Sequence, residues 1–208
     1  MVRWIRIEEA HEGMLPAEIE RHRFGVEECH RMAEVGILSQ EDRVELIDGE
    51  LVRMRPIGAG YINCVNRLTT VLVEFSARRY QVSVQNPFRL DDERKFEPDL
   101  VLLREHPGET GLSMPAAEDA LLVVEVAETS LYRDRNIKLP RYTRTGIPEV
   151  WLVDLGAARI ELYAGPGVAG SYAIARTYGR GETVRYPSAP GLALDVEEIL
   201  GDFAAGEW

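Results

Sequence analysis

Apolar positions along this chain change period several times, and each change marks an element. Val26, Cys29, Met32 and Ala33 recur at helical spacing and Gly36 supplies a stop, so a short helix is expected there. Arg43-Val44-Glu45-Leu46-Ile47 and Leu51-Val52-Arg53-Met54, split by Asp48-Gly49, predict a β-hairpin. Pro56 to Gly60 reads as a loop. Val65, Leu68, Leu72 and Phe75 then lay an apolar stripe on a helix of about three to four turns. Strands are expected at Gln81 to Gln85, Phe88 to Leu90, Asp99 to Leu103 and Leu121 to Ala127. A polar loop with Pro107, Gly108, Gly111 and Pro115 separates the last two. A helix within Asn136 to Thr145 is closed by Gly146, and Val150 to Val153 is another buried strand. Arg159 to Tyr163 and Ser171 to Arg185 alternate like antiparallel strands, and Asp195-Val196-Glu197-Glu198 has the spacing of a capped short helix. With no internal repeat and no low-complexity linker, the pattern predicts a polar extension over residues 1–25. One α/β domain over 26–208 follows, ending in a β-rich tail.

Composition narrows this picture. An apolar fraction of 45% in 208 residues can build a sizeable core. The residues from Met1 to Phe24 lack the apolar stretch of a signal peptide, and the longest apolar runs are strand-sized. A cytoplasmic protein without a membrane span is therefore expected. The two cysteines, Cys29 and Cys64, are not in a metal-binding spacing, and each falls in a helical segment where a buried free thiol is the ordinary reading. A net charge of −11 argues against general attraction to nucleic acid, although a bound cation and a local basic face can reverse the sign at a site.

Three segments carry the candidate chemistry: Phe96-Glu97-Pro98-Asp99, Val124-Glu125-Val126-Ala127, and the basic stretch from Arg133 to Arg144. On a strand, Leu121, Val123, Glu125 and Ala127 share one face, and the opposite face (Leu122, Val124, Val126) is wholly apolar. Glu125 thus projects from a sheet whose reverse side is packed. A buried ion pair is the ordinary alternative to a metal ligand there. Asp99, just after Pro98, reads alone as a strand-start or turn residue. It gains weight from Glu125, because two carboxylates at adjacent points of a sheet repel unless a cation sits between them. Mg²⁺ suits such a site, since it takes few protein carboxylates and keeps several waters; Mn²⁺ is the expected substitute. Asp134, Lys138 and Arg141 share a helical face by i, i+4, i+7 spacing, where a surface pair and a solvated basic face are the ordinary readings. Pro140 denies a hydrogen bond to the Asn136 carbonyl, so the helix is expected to kink or start late. The histidines His11, His22, His30 and His106 form no metal-spaced pair. A Gly-x-Ser-x-Gly elbow and a phosphate loop are both absent from the sequence.

These residues resemble the Uma family of restriction endonucleases, a branch of the PD-(D/E)XK nuclease superfamily, over about Val26 to Leu155. The carriers are Arg43 to Glu50, Pro98-Asp99, Glu125-Val126, Asp134, Lys138, Tyr142 and Gly146 to Asp154. The resemblance implies a restriction-endonuclease-like mixed central sheet flanked by helices, with a nuclease core at about 43–155. It implies metal held by Asp99, Glu125 and one backbone carbonyl, that of Val126. The superfamily lysine normally lies two residues after the acid, where this chain has Ala127; the family supplies it from the following helix, and Lys138 matches. Tyr61 stands where family members often carry a histidine. The function implied is Mg²⁺-dependent hydrolysis of DNA phosphodiesters, with Lys138 orienting a water or neutralising developing charge. Glu45 and Asp134 are further candidate acids, and Arg135 and Arg141 candidate contacts to backbone phosphates. Double-stranded DNA as partner and a homodimer follow as expectations from that function. The rivals are a non-catalytic nucleic-acid- or protein-binding module on the same fold and a hydrolase of another phosphoester.

Overall fold

Asp48 and Gly49 take φ of 50° and 77°. That is the left-handed pair a tight hairpin turn requires, so β1 (Val44–Ile47) folds back antiparallel on β2 (Glu50–Arg53) as expected. Glycine at 49 is needed twice over, because a Cβ there would sit 2.7 Å from the Arg23 Cβ. The computed structural model describes residues 21–39, 41–77, 79–104, 114–167, 170–185 and 192–201. The expected loop around residues 107–111 and most of the polar extension lie outside these.

The hairpin belongs to a four-stranded sheet in the order β2-β1-β5-β4, with β4 at Phe88–Asp91 and β5 at Arg94–Phe96. Sequence periodicity misses β5, which is three residues long and opens on Arg94-Lys95. A second sheet has six strands in the order β10-β9-β8-β7-β6-β3. Its members are β3 (Tyr80–Val84), β6 (Leu100–Arg104), β7 (Ala120–Ala127), β8 (Glu149–Asp154), β9 (Arg159–Pro166) and β10 (Tyr172–Tyr178). Only β7 and β8 run parallel, and the other neighbours are antiparallel, so the sheet is mixed. Parallel neighbours need a long crossover, which here is the helical segment 131–144.

Alternation along β7 sorts the core. Leu122, Val124 and Val126 pack with Leu68 and Leu72 of α2 (Ala59–Ser76) and with Trp151 and Val153. Val123 packs on the other side with Leu139, Tyr142, Phe88 and Phe96. The six-stranded sheet is therefore covered on both faces, by α2 on one and by the crossover helix and the smaller sheet on the other. Each of those fully buried β7 aliphatics contributes about 1.5–3 kcal/mol. The short α1 (Val26–Glu34) forms where expected and buries Val26 and Cys29. Cys29 and Cys64 are both buried free thiols.

Three expectations are corrected. First, α2 is an 18-residue helix capped at Gly58, so Ala59 and Gly60 open the helix instead of ending the loop expected over Pro56 to Gly60. The cause is tertiary: a Glu128 carboxylate oxygen accepts the Gly58 N–H at 2.9 Å, 70 residues away in sequence. Second, the crossover helix neither kinks nor starts late at Pro140. It begins with α3 (Leu131–Arg133), widens through a π-helical turn (Asp134–Lys138) and runs on as α4 (Leu139–Arg144). Pro140 has no N–H and crowds the carbonyl four residues back. The Leu139 N–H reaches the Asp134 carbonyl, five residues back, and the wider turn absorbs the proline. Third, Ser171 to Arg185 divides between β10 and β11 (Thr183–Arg185), with a positive φ at Gly181 between them. The β11 strand pairs with β12 (Ala193–Asp195) ahead of α5 (Val196–Leu200). Asp195 does not cap α5 with its side chain but accepts the Thr183 hydroxyl at 2.6 Å. Among the described residues, no helix is long and apolar enough to cross a membrane.

Candidate active site

The antiparallel register of β6 on β7 pairs Leu100 with Val124, and one further step sets Asp99 opposite Glu125. Asp99 is 6% exposed. Its Oδ2 accepts the Val126 N–H at 2.6 Å, and its Oδ1 accepts the Tyr61 hydroxyl, which in turn accepts from Gln85 Nε2 at 2.7 Å. Burial pushes the Asp99 carboxyl up to about 6, although the Tyr61 and Val126 bonds favour the ionised form. Tyr61, on the first turns of α2, therefore does not leave a gap where a histidine is expected. It holds the Asp99 carboxylate in one orientation.

Glu125 faces the crossover helix, as its strand position predicts. The Lys138 Nζ lies 2.5 Å from its Oε1, and the Tyr142 hydroxyl donates to the same oxygen at 2.5 Å. Neither bond uses Oε2. Lys138 Nζ also donates to Glu45 Oε1 at 2.9 Å and lies 5.2 Å from the centre of the Phe96 ring. Lys138 is 1% exposed, so the surface pair with Asp134 is ruled out: both residues are buried. The π turn sets Asp134, Lys138 and Tyr142 in one stripe against the sheet. Arg141, expected on that stripe, points away.

Glu45, on β1, is fully buried. Burial pushes its carboxyl up, but Lys138, the Glu97 N–H at 3.0 Å and nearby Arg133 outweigh this and hold it below the usual range. Glu125 behaves oppositely. Burial lifts it to about 8, with Asp134, Asp99 and Glu45 adding to the rise, and Lys138 does not outweigh them. Asp134 is also raised by burial, against the pull of Lys138 and of the Ser130 hydroxyl at 2.5 Å. Burial disfavours the Lys138 ammonium, yet the surrounding carboxylates raise its pKa. Lys138 and Arg133 cannot neutralise four acids, and after burial the surplus negative charge is what lifts Asp99, Glu125 and Asp134.

Two further atoms mark this imbalance. Glu45 Oε2 and Asp134 Oδ1 are buried without a hydrogen-bond partner among the described residues. The Arg133 guanidinium lies 3.9 and 3.7 Å from these oxygens and offsets part of their charge, but the acids still outnumber the two cations, a donor set that fits a divalent cation. Among the described residues no three His, Cys, Asp or Glu side chains are arranged to hold a metal ion. A site of two carboxylates and waters, the kind Mg²⁺ uses, needs no third such side chain.

Arg135 and Arg141 do not join the site. Arg135 is bound through two nitrogens to Glu161 on β9, at 2.5 and 3.0 Å, and Arg141 pairs with Asp48 in the hairpin turn. Each is committed to a carboxylate and neither lines the cleft over the acids. That cleft, about 40 Å³ in volume, is lined by Tyr61, Asp99, Glu125, Val126, Asp134 and Lys138, and its further cations are Arg43, Arg55 and Arg133. Sequence reasoning assigns no role to Gln85, the Tyr142 hydroxyl or these arginines. Tyr142 carries a signal in hindsight, four residues after Lys138.

A mixed sheet covered by helices on both faces, with acids meeting at the ends of two adjacent strands, defines a restriction-endonuclease-like nuclease fold. The structure is similar to that of a "putative nuclease belonging to DUF820" from Anabaena variabilis ATCC 29413. The TM-score is 0.62 at 13% identity, over 80% of this chain and 94% of that one. A family model described as "Putative restriction endonuclease" matches residues 26–197, and the chain belongs to that family, Uma2. Over 128 residues it is 30% identical to the uncharacterized protein sll1609 of Synechocystis sp. (strain ATCC 27184 / PCC 6803 / Kazusa), covering 59% of this chain and 72% of that protein.

Proposed function

We propose that this chain is a metal-dependent endonuclease that hydrolyses DNA phosphodiesters, with Asp99, Glu125 and the Val126 carbonyl holding Mg²⁺ or Mn²⁺. The observation that carries the reading is the buried Lys138 ammonium, bonded to Glu125 at 2.5 Å in a pocket with more acids than it can neutralise. Fixing a buried charge in this way costs several kcal/mol in desolvation, which a purely structural role could avoid with apolar residues. A bound divalent cation would polarise the scissile phosphate and acidify a water. The protein's own groups do the positioning. Tyr61 and the Val126 N–H fix Asp99, Tyr142 fixes Glu125, and Glu45 keeps Lys138 charged. Lys138 orients the attacking water or neutralises charge growing on the phosphoryl oxygens. We further propose double-stranded DNA as substrate and a homodimer that presents one site to each strand.

A plasmid-nicking assay tests the role of Lys138. Lys138→Met keeps most of the aliphatic stem, and it is expected to lower Mg²⁺-dependent nicking at least a hundredfold while Mg²⁺ still binds. Undiminished nicking contradicts the role. The acidic net charge of −11 favours the second reading, a non-catalytic binding module, which expects Mg²⁺ or DNA binding without strand cleavage by the wild type.

A further inference from the structure

Most arginines for which contacts are described are tied to carboxylates. Arg89 pairs with Glu27 and Asp92, Arg94 with Asp48 and Asp91, Arg135 and Arg159 with Glu161, and Arg141 with Asp48. Arg43 and Arg53 differ. Among the described residues neither has a carboxylate oxygen within 4.0 Å, and both line a hollow that opens beside the acid cleft. They lie diagonally across the open end of the hairpin, where Val44 pairs with Arg53 and the Met54 N–H reaches the Arg43 carbonyl at 2.8 Å.

The row continues across the cleft. Arg55 lies two residues past Arg53, and its Nη1 donates to the Thr129 carbonyl at 3.0 Å, in the loop that follows Glu125 and Val126. On the far wall stands Arg133, which lies 3.9 Å from Glu45 and 3.7 Å from Asp134, with its buried Nε making no hydrogen bond among the described residues. Glu41, Asp42 and Glu97 also line these hollows; Asp42 accepts from the Ser39 N–H and hydroxyl, Glu128 accepts from the Gly58 N–H, and Arg53 and Arg43 act on Asp42 and Glu97 only through space. Met54, Pro56 and Ile57 share the same wall, and Ile57 is 41% exposed. Guanidinium groups alternating with apolar side chains, two of them without a carboxylate partner among the described residues, suit a polyanion whose charges are separated by apolar sugar faces.

Resting on the nuclease reading, we propose that Arg43, Arg53, Arg55 and Arg133 form a phosphate track that leads a DNA strand to Asp99 and Glu125. It takes the role that Arg135 and Arg141 cannot fill while bound to Glu161 and Asp48. Contacts to phosphate position a strand without reading its sequence, so the track serves any sequence alike.

The test is anisotropy titration of a labelled duplex DNA into the full chain over a range of salt, in EDTA and again in Mg²⁺, with nicking measured on the same samples. Arg43→Ala and Arg53→Ala are each expected to weaken binding several-fold for every sequence. Each should reduce the slope of log affinity against log salt by about one, and the double variant by about two. Arg43→Lys should restore most of the slope, and Arg135→Ala should leave it unchanged. An unchanged slope in the double variant, an equal loss in Arg135→Ala, or no DNA binding by the wild type in either buffer overturns the track. The two readings fail separately. Expected slopes without nicking keep the track and remove the nuclease, whereas nicking with unaltered slopes does the reverse.

Discussion

Asp99 shows how one side chain serves both fold and site. It ties α2 to the sheet through Tyr61 and ties β6 to β7 through Val126, yet it is one of four acids around a single lysine. Asparagine there keeps an oxygen for the Val126 N–H and removes one negative charge. Asp99→Asn without metal is therefore expected to gain about 1 kcal/mol, a rise of roughly 2–4 °C in melting temperature at pH 8. The gain should vanish at pH 4, where the wild-type carboxyl is already protonated. A drop in melting temperature at pH 8 would mark Asp99 as half of a structural ion pair. Lys138→Met should act oppositely and cost about 3–5 kcal/mol at pH 8, because it removes the buried ammonium that Glu45 and Glu125 share. Chemical denaturation checks it, with a smaller loss expected at pH 5.

At the scale of elements, the π turn decides which residues of the crossover helix meet the sheet. Deleting Asn136, an exposed residue within it, should restore a regular helical ladder and turn either Asp134 or Lys138 away from the site. A loss of about 2–4 kcal/mol and of all nicking is expected, whereas a deletion variant that melts like wild type would contradict this view. The outward face of Glu125 was legible in the sequence because strand alternation is strict and the reverse face of β7 is wholly apolar. The strands beside it were legible for the same reason, but their order in the sheets was not. Pro140 announced an irregular helix, but whether it kinks, frays or widens depends on the packing of Leu139 and Tyr142 against the sheet. The early start of α2 depends on Glu128, and the withdrawal of Arg141 on Asp48, 93 residues away. Such pairings are set by tertiary register and leave no local pattern. The buried acids Asp99 and Glu125 were readable because burying a charge is costly and therefore conspicuous among apolar neighbours. The cations Arg43 and Arg53 were not, since unpaired surface arginines look alike in a sequence.

Across the whole molecule the surplus of buried acid makes stability depend on pH. Asp99 titrates near 6 and Glu125 near 8 in the folded chain, against about 4 in an unfolded one, so the folded state holds more protons between those values. Their contribution is fully present below about pH 4 and is lost as pH rises through 6 and then 8. Glu45, held below the usual range, contributes in the opposite sense, and its share is lost only at still lower pH. Without metal, the melting temperature should therefore fall from pH 5 to pH 8. Saturating Mg²⁺ should flatten that fall by binding the ionised carboxylates, with about 2.7 kcal/mol of stabilisation at a hundred times Kd. A melting temperature that rises over the same range without metal would contradict the charge balance described. The most direct test of the central claim is calorimetric titration of Mg²⁺ and Mn²⁺ into wild type and Asp99→Ala, with plasmid nicking measured on the same samples. Binding and nicking by the wild type and the loss of both in Asp99→Ala are expected; a wild type that binds neither ion and nicks no DNA would contradict a metal-dependent nuclease.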